Sequence, residues 1–250
     1  MSAIWAELVK NYNHASIEIV GTLVIQVLFW WIPSIIYVSL DHVAPSFAAR
    51  HKIQPLEKQP TAAVVGHAVA VSLRNQLSII AVQIAISIHS ALHDRPSRFQ
   101  ITPTLPTTTS FIKDIFICII SREILFYYSH RLFHMPYFYR RIHKVHHKFK
   151  APVSFASQYA HPIEHVVANV MPIALPPAIL GTHIATMWAF LAFELLETAT
   201  VHSGYDFFRG AARRHDRHHE RFDVNFGGMP WLDYLHGTSE ESKDSIGNKE

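Results

Sequence analysis

From Ile17 to Leu40 the chain is almost continuously apolar (IEIVGTLVIQVLFWWIPSIIYVSL). About 20 apolar residues suffice to cross a bilayer as a helix, so this stretch predicts a transmembrane helix. Pro33 predicts a kink within it. Trp30, Trp31 and Tyr37 suit a membrane interface or a kinked outer half. A second apolar segment runs from about Val64 to Leu92, interrupted by Arg74, Asn75 and Gln76, and is cleanest over Leu77–Ile88. A third, Phe111–Tyr128, contains Asp114, Arg122 and Glu123. The fourth, Val166–Val201, is 36 residues long, with Pro176, Pro177 and Gly181 near its middle.

The segments between are polar. Residues 41–63 form a connector with Arg50, Lys52 and Lys58, and residues 93–110 are rich in Pro, Ser and Thr and read as loop. Residues 129–165 are basic and rich in histidine. The C-terminal part is polar, and residues 239–250 read as a disordered tail. Residues 1–15 lack the basic region and cleavage site of a signal peptide. The pattern predicts an all-α integral membrane protein. It has about four transmembrane helices, a re-entrant or hairpin element, and a cytosolic helical cap. Residues 1–110 hold the N-terminal membrane helices and connectors, and 111–238 the domain that carries the chemistry.

Composition narrows the class. The chain is 49% hydrophobic, yet its mean hydropathy is only +0.12, which suits membrane segments joined to a sizeable polar part. The net charge of +3 is a modest basic excess. Nucleic-acid binding would need a basic cluster with exposed aromatics or a groove-reading motif, and neither is present. A basic membrane-facing rim explains the excess. The one cysteine, Cys118, excludes an internal disulfide and any CxxC zinc motif.

Histidine is the anomaly: 19 of 250 residues, twelve of them between positions 130 and 219. His130 and His134 form HxxxH. His143, His146 and His147 form HxxHH, and His215, His218 and His219 repeat that spacing. Residues three and four apart share a helix face, so each cluster can aim its imidazoles at one point. Neutral imidazole is the commonest protein ligand for a divalent transition metal. Eight clustered histidines exceed what one ion can use, so two ions are the natural count. The HExxH motif of zinc hydrolases is absent. An all-nitrogen, two-metal site beside a membrane points to redox chemistry on a lipid. His14, His42, His51, His67, His89, His93 and His236 read as structural or solvated residues.

The motifs HRLFH (130–134), HKVHH (143–147), AHPIE (160–164), ETATVHSGYD (197–206) and RHDRHH (214–219) occur in this order. Together they resemble the sterol desaturase and fatty acid hydroxylase superfamily of membrane di-iron enzymes. HKVHHKFKAPVSFASQYAHPIE followed by LLETATVHSGYD is most similar to the C-4 methyl sterol oxidases, also called methylsterol monooxygenases. The specific match covers about residues 120–238. The resemblance implies two non-haem ferrous ions, which zinc can replace on purification because it binds nitrogen sites more tightly than ferrous iron. It implies dioxygen, electrons from NAD(P)H delivered through cytochrome b5 or its reductase, a lipid substrate, most simply a sterol, and an endoplasmic-reticulum membrane location. The activity it implies is hydroxylation of an unactivated C–H bond. The alternatives within the superfamily are a sterol desaturase, a fatty acid or sphingolipid hydroxylase, and a terpenoid-tailoring oxygenase. A non-catalytic metal-binding membrane protein is the reading from a different class.

By motif position the resemblance carries over His130, His134, His143, His146, His147, His215, His218 and His219 as metal ligands. His202 and His161 complete a set of ten. Fatty acid hydroxylases of the superfamily have a histidine where this chain has Thr198, and His161 stands as its replacement. The link 208–214 (FRGAARR) is shorter than in the sterol oxidases and is expected to line the substrate entrance. His165 is extra to the usual pattern, and His183 reads as a packing or hydrogen-bonding residue.

Residues 123, 127, 130 and 134 fall on one helical stripe, so Glu123 and Tyr127 are candidates to support the ligands from behind. Pairing of Glu123 with Arg122 is the alternative, since charges within a membrane need partners. Glu197 and Asp206 are similar candidates. The histidines before and after residues 166–201 must meet, so that apolar region has to enter and leave on one membrane side. Arg131, Arg140, Arg141, Lys144, Lys148 and Lys150 put that side in the cytosol. The same residues could attract an acidic electron donor.

Overall fold

A computed structural model describes residues 2–207 and 210–247. Residues 208 and 209 of the expected entrance link, and the C-terminal residues 248–250, lie outside the described part. Thirteen α-helices follow one another among the described residues, with no named strand. They are α1 (Ser2–Asn11), α2 (His14–Gln26), α3 (Ile32–Val43), α4 (Pro45–His51), α5 (Ala62–Leu92), α6 (Thr108–Phe133), α7 (Pro136–Arg141), α8 (Pro162–Glu164), α9 (Met171–Leu180), α10 (Ile184–Val201), α11 (Ala211–Arg221), α12 (Pro230–His236) and α13 (Glu240–Gly247).

Four helical stretches are long and apolar enough to cross a membrane: His14–Val43, Ala62–Leu92, Pro162–Leu180 and Ile184–Val201. The last two come from the single apolar region expected as a hairpin, and a hairpin is what forms. Its turn is not at Pro176–Pro177, which lie buried inside α9, but at Gly181, whose φ of +59° suits glycine. His183 then caps α10, its ring accepting from the Ala185 N–H at 3.1 Å. The charged third segment forms α6, which packs against α9 and α10 within the bundle.

The break in the first span precedes Pro33. Residues Val27–Trp31 make a π-turn, and the Ile32 N–H bonds the Val27 carbonyl five residues back. A proline cannot donate, and its ring crowds the carbonyl four residues earlier. Widening the preceding turn relieves that crowding. The tryptophans there do not face an interface. Trp30 is wholly buried and donates to Ser157 Oγ at 2.9 Å, and Trp31 donates to Gln76 at 2.8 Å.

The polar interruption in the second segment does not break α5. Asn75 and Gln76 point inward. Asn75 Nδ2 donates to the carbonyls of Gln158 and Ala160 at 3.1 and 3.0 Å, Gln76 donates to the Gln158 side chain at 2.8 Å, and Ser72 donates to the Phe155 carbonyl at 3.0 Å. Residues 149–160 run as a buried, largely irregular strip, and irregular backbone cannot satisfy its own polar groups. The polar stripe of α5 satisfies them and fixes the strip that precedes AHPIE.

The tail expected to be disordered folds over residues 240–247 as α13. Arg217 holds Glu240 at 2.7 Å, Arg221 holds Asp244 at 2.7 Å, and Lys243 holds Asp223 at 3.0 Å. These partners lie about 20 residues away in sequence, so local composition does not reveal them.

Candidate metal centre

The short elements after α6 and α10 gather at one end of the bundle and bring nine histidines together. His130, His134, His143, His147 and His218 form one group, and His146, His202, His215 and His219 the other; within each, the ligand atoms all lie within 4.8 Å of one another. Each HxxHH box is therefore divided, instead of serving one point as its spacing suggested. Residues His143–Lys148 form a 3-10 helix, not an α-helix, and send His143 and His147 to the first group but His146 to the second. On α11, His215 and His219 are four apart and serve the second group, while His218 turns to the first.

The second ring nitrogens explain how the rings are held. Nδ1 of His130 bonds the Phe226 carbonyl at 2.6 Å, His218 the Val224 carbonyl at 2.7 Å, His202 the Thr198 carbonyl at 2.9 Å and His146 the Tyr159 carbonyl at 3.3 Å. Nδ1 of His143 bonds Glu164 at 2.6 Å. Carbonyl and carboxylate oxygens only accept here, so these Nδ1 atoms carry the proton and each Nε2 is left with a bare lone pair. Burial keeps the rings neutral: it pulls His130 and His146 down to about 4, and His202 to about 3, from an ordinary 6.5.

The Nε2 atoms within each group face one another. Nε2 of His143 lies 2.8 Å from that of His134 and 3.0 Å from that of His147; His218 lies 3.2 Å from both His134 and His147. In the second group, His215 is 2.9 Å from His202 and 3.1 Å from His219, and His146 is 3.5 Å from His202. Imidazole nitrogens about 2.1 Å from one ion stand roughly 3.0–3.4 Å apart for octahedral to tetrahedral angles. Nε2 atoms converging at these spacings match the ligands of a single ion in each group. The donor set therefore fits two adjacent transition-metal ions.

His161, expected as the tenth ligand, joins neither group. It sits at the start of α8, and its Nδ1 accepts from the Ile163 N–H at 3.2 Å. Pro162 follows directly, and the extended N-cap conformation commits the ring to the start of α8, away from both groups. The carboxylate of the same motif is the one that reaches the centre: Glu164 is 3% exposed against His143. Spacing gave no sign of this, because the pair is 21 residues apart.

The four residues expected behind the ligands are engaged elsewhere. Glu123 accepts from Arg122 at 3.2 Å and from the Met229 N–H at 3.0 Å. Tyr127 bonds Thr238 at 2.9 Å. Glu197 takes Arg122 at 3.2 Å, and Asp206 accepts from the Gly210 N–H at 2.9 Å and from Arg213 at 3.1 Å. The loop 222–229 does the work assigned to Glu123 and Tyr127. Its carbonyls reach His130 and His218, and Asp233 fixes it by accepting from the N–H groups of Phe226 and Gly227 at 2.8 and 3.0 Å. Asn225 takes the left-handed conformation (φ +57°) that asparagine tolerates. On the outer side of α11, Asp216 is clamped by Gln54, which donates to both its oxygens at 3.0 and 2.9 Å; burial raises that carboxyl to about 6.

His165 and His183 also stay outside the two groups. His165 is buried beside Asn169, 3.4 Å away, and His183 packs edge-on against Trp5. His236 stacks on Tyr127 and bonds Tyr128 at 2.9 Å.

A cavity of about 700 Å³ adjoins the centre. His130, His143, His146, His202 and His215 line one end, and apolar side chains of the long helices, including Ile80, Ile173, Met187 and Leu191, line its length. Ala211 and Arg214, from the expected entrance link and the start of α11, line it as well.

Comparison with known proteins agrees with the motifs. A family model described as fatty acid hydroxylase matches residues 115–238. Fatty acid hydroxylase domain-containing protein 2 of Homo sapiens is 32% identical over 97% of this chain and 74% of its own length. Methylsterol monooxygenase 1 of Danio rerio is 29% identical over 95% of this chain and 83% of its own. A very-long-chain aldehyde decarbonylase of Oryza sativa subsp. indica is 25% identical over 96% and 92%. No solved structure matches. The chain belongs to the fatty acid hydroxylase family.

Proposed function

We propose that the protein is a membrane lipid oxygenase that hydroxylates an unactivated C–H bond, with two iron ions held by the nine converging histidines, and that its substrate is a sterol oxidised at a C-4 methyl group. The observation that carries this reading is the cavity. One continuous space joins both histidine groups to the apolar interior of the bundle, and its volume is in the range of lipid-sized sites. A lipid can enter along apolar walls and present carbon to the metal end.

Bound iron would supply the dioxygen activation that such a bond requires. The chain's own residues do the rest. The Nδ1 bonds of His130, His143, His146, His202 and His218 fix five rings before any ion arrives. The apolar helices exclude water from the reacting end. Zinc is the competing occupant, since it binds nitrogen sites more tightly than ferrous iron.

The likeness to a Danio rerio protein named methylsterol monooxygenase 1 and the resemblance of HKVHHKFKAPVSFASQYAHPIE to the sterol oxidases favour the sterol over a fatty acyl chain. Arg131, Arg140, Arg141, Lys144, Lys148 and Lys150 support a cytosolic orientation in the endoplasmic-reticulum membrane. They also suit cytochrome b5 or its reductase as the electron donor.

The test is sterol profiling in a host that lacks its own C-4 methyl sterol oxidase. The parent chain should clear accumulated 4-methyl sterols. A His146→Ala, His218→Ala double variant, which damages both histidine groups, should not. Persistence of 4-methyl sterols despite iron-loaded parent protein overturns the sterol assignment and moves the search to fatty acyl, sphingoid and terpenoid substrates.

A further inference from the structure

A chain of hydrogen bonds starts at the indole of Trp31 and ends at the cavity. An indole N–H can only donate. Trp31 Nε1 lies 2.8 Å from Gln76 Oε1, so Gln76 turns its amide oxygen to the indole and its nitrogen the other way. Gln76 Nε2 donates to Gln158 Oε1 at 2.8 Å. Gln158 therefore has its oxygen in the chain and its nitrogen beyond it. The donor-only group at the start fixes which way both amides face.

Gln158 is built into the wall. It is 5% exposed, and its backbone carbonyl accepts from Asn75 Nδ2 at 3.1 Å. Its side chain lines the cavity. Among the described residues Nε2 meets no acceptor, and it is not one of the side-chain atoms shut inside the protein without a partner. Its N–H groups thus open on the cavity.

They do so near the metal end. The next residue, Tyr159, gives its carbonyl to Nδ1 of His146 at 3.3 Å. Two neighbouring donors that line the same cavity are committed. Ser157 Oγ accepts from Trp30 at 2.9 Å and donates to the Ser154 carbonyl at 2.8 Å. Arg122 is shared by Glu194 at 2.6 Å, Glu123 at 3.2 Å and Glu197 at 3.2 Å. A donor already held in place binds an oxygen without the cost of ordering it first.

We propose that the Gln158 amide, turned by Trp31 through Gln76, donates a hydrogen bond to an acceptor oxygen of the lipid. This rests on the lipid-oxygenase reading and adds a recognition residue to it. The site selects lipids that carry a hydroxyl or carbonyl at the end where carbon is oxidised, over the corresponding hydrocarbons.

Equilibrium binding to the zinc-loaded full chain in detergent reads this without turnover. The probes are a 4-methyl sterol, its 3-ketone and its 3-deoxy counterpart, with a long-chain alcohol, ketone and alkane as a second set. The parent should bind alcohol and ketone about tenfold more tightly than the hydrocarbon, the worth of one neutral hydrogen bond. Gln158→Leu should bring both down to the hydrocarbon's level. His165, which also lines the cavity with Nδ1 against Asn169, is the competing donor; His165→Leu should leave the preference standing. Trp31→Phe keeps an aromatic ring at a position that does not line the cavity, but releases the relay. The amides can then turn over and present the Gln158 oxygen. A ketone only accepts, so its affinity should fall at least about twofold, the factor for two equally populated orientations. An alcohol also donates, so it should hold. A merely structural loss would weaken both alike.

Equal binding of oxygenated and deoxygenated lipids by the parent overturns the proposal. So does a preference that survives Gln158→Leu or vanishes in His165→Leu. If Gln158→Leu fails to fold, Trp31→Phe decides: equal losses for ketone and alcohol, or no loss for the ketone, overturn it. A preference in one probe set alone supports the role and names the lipid class. A preference with no oxygenated product in turnover assays leaves Gln158 as the recognition residue and defeats the oxygenase reading; product without a preference does the reverse.

Discussion

Glu164 offers a test of whether the histidines form two separate metal sites. Its carboxylate lies 2.6 Å from Nδ1 of His143, and both groups are almost wholly buried. His143 belongs to the five-histidine group, and among the described residues Glu164 is hydrogen-bonded to no histidine of the other. Glu164→Ala leaves the His143 N–H buried without an acceptor and lets the ring turn. Glu164→Gln keeps an acceptor but removes the charge. Loss of such an outer partner costs about 10- to 100-fold in metal affinity, or roughly 1.4–2.7 kcal/mol, with alanine at the upper end and glutamine at the lower.

The assay is a chelator titration of the zinc-loaded protein, with metal counted per chain by elemental analysis. The Glu164→Ala variant should lose one ion at 10- to 100-fold weaker chelation than the parent and keep the other at parental strength. At intermediate chelator it should therefore hold one ion per chain. His146→Ala should give the complementary result, emptying the four-histidine group first. If Glu164→Ala sheds both ions together, the two groups are one site. If it sheds neither more easily, the carboxylate does not orient His143 and the argument from Nδ1 partners fails.

Three other outcomes follow from the same geometry. His161→Ala should leave the metal count unchanged and cost at most about 1 kcal/mol through the lost cap of α8, read by thermal unfolding; loss of an ion would restore it as a ligand. Gly228→Ala puts a methyl group into Arg122 Nη1 and 3.0 Å from Glu123 Oε2, so it should destabilise the fold by about 1–3 kcal/mol, and an unchanged unfolding temperature would show that the ion cluster is loose. In metal-free protein, burial holds His130 and His146 near 4 and His202 near 3, below the ordinary 6.5. Between those values the unfolded chain binds protons that the folded chain refuses. Stability is thus full above about pH 6.5 and falls as the pH drops toward 4, and a flat unfolding temperature over that range would refute neutral, buried rings.

The membrane helices and the histidine boxes were legible because each is a local pattern. A run of apolar residues long enough to span, or a 3- and 4-residue spacing of imidazoles, needs no distant partner to be read. The α9–α10 hairpin followed too, since histidines on either side of one apolar region had to return to one place. What failed was whatever depends on docking. The spacing of each HxxHH box reads as one helix face, but the rings divide between two groups both on the 3-10 helix of HKVHH and on the α-helix that carries His215, His218 and His219. Glu123 shares a stripe with His130 in sequence, yet the proton on His130 goes to a carbonyl 96 residues away. Asn75 and Gln76 read as a flaw in an apolar helix, and they are the groups that hold the strip 149–160 in place.

These failures share a cause that bears on the chemistry. A buried metal site is favoured by rings aimed before the ion binds, and five of the nine rings here have an acceptor behind them. Backbone carbonyls are the least costly acceptors to bury, because the chain carries one at every residue and adds no charge. Four of the five resolved Nδ1 bonds end on carbonyls, which leave no mark in the sequence, and only His143 uses a carboxylate. The side chains that do leave a mark, Asp233 and Asn225, act one step further out by shaping the loop that presents those carbonyls. The candidate ligands of this centre are marked in the sequence by composition and spacing, while the apparatus that orients them lies mostly in the backbone and becomes visible only once the loop 222–229 is seen against α6 and α11.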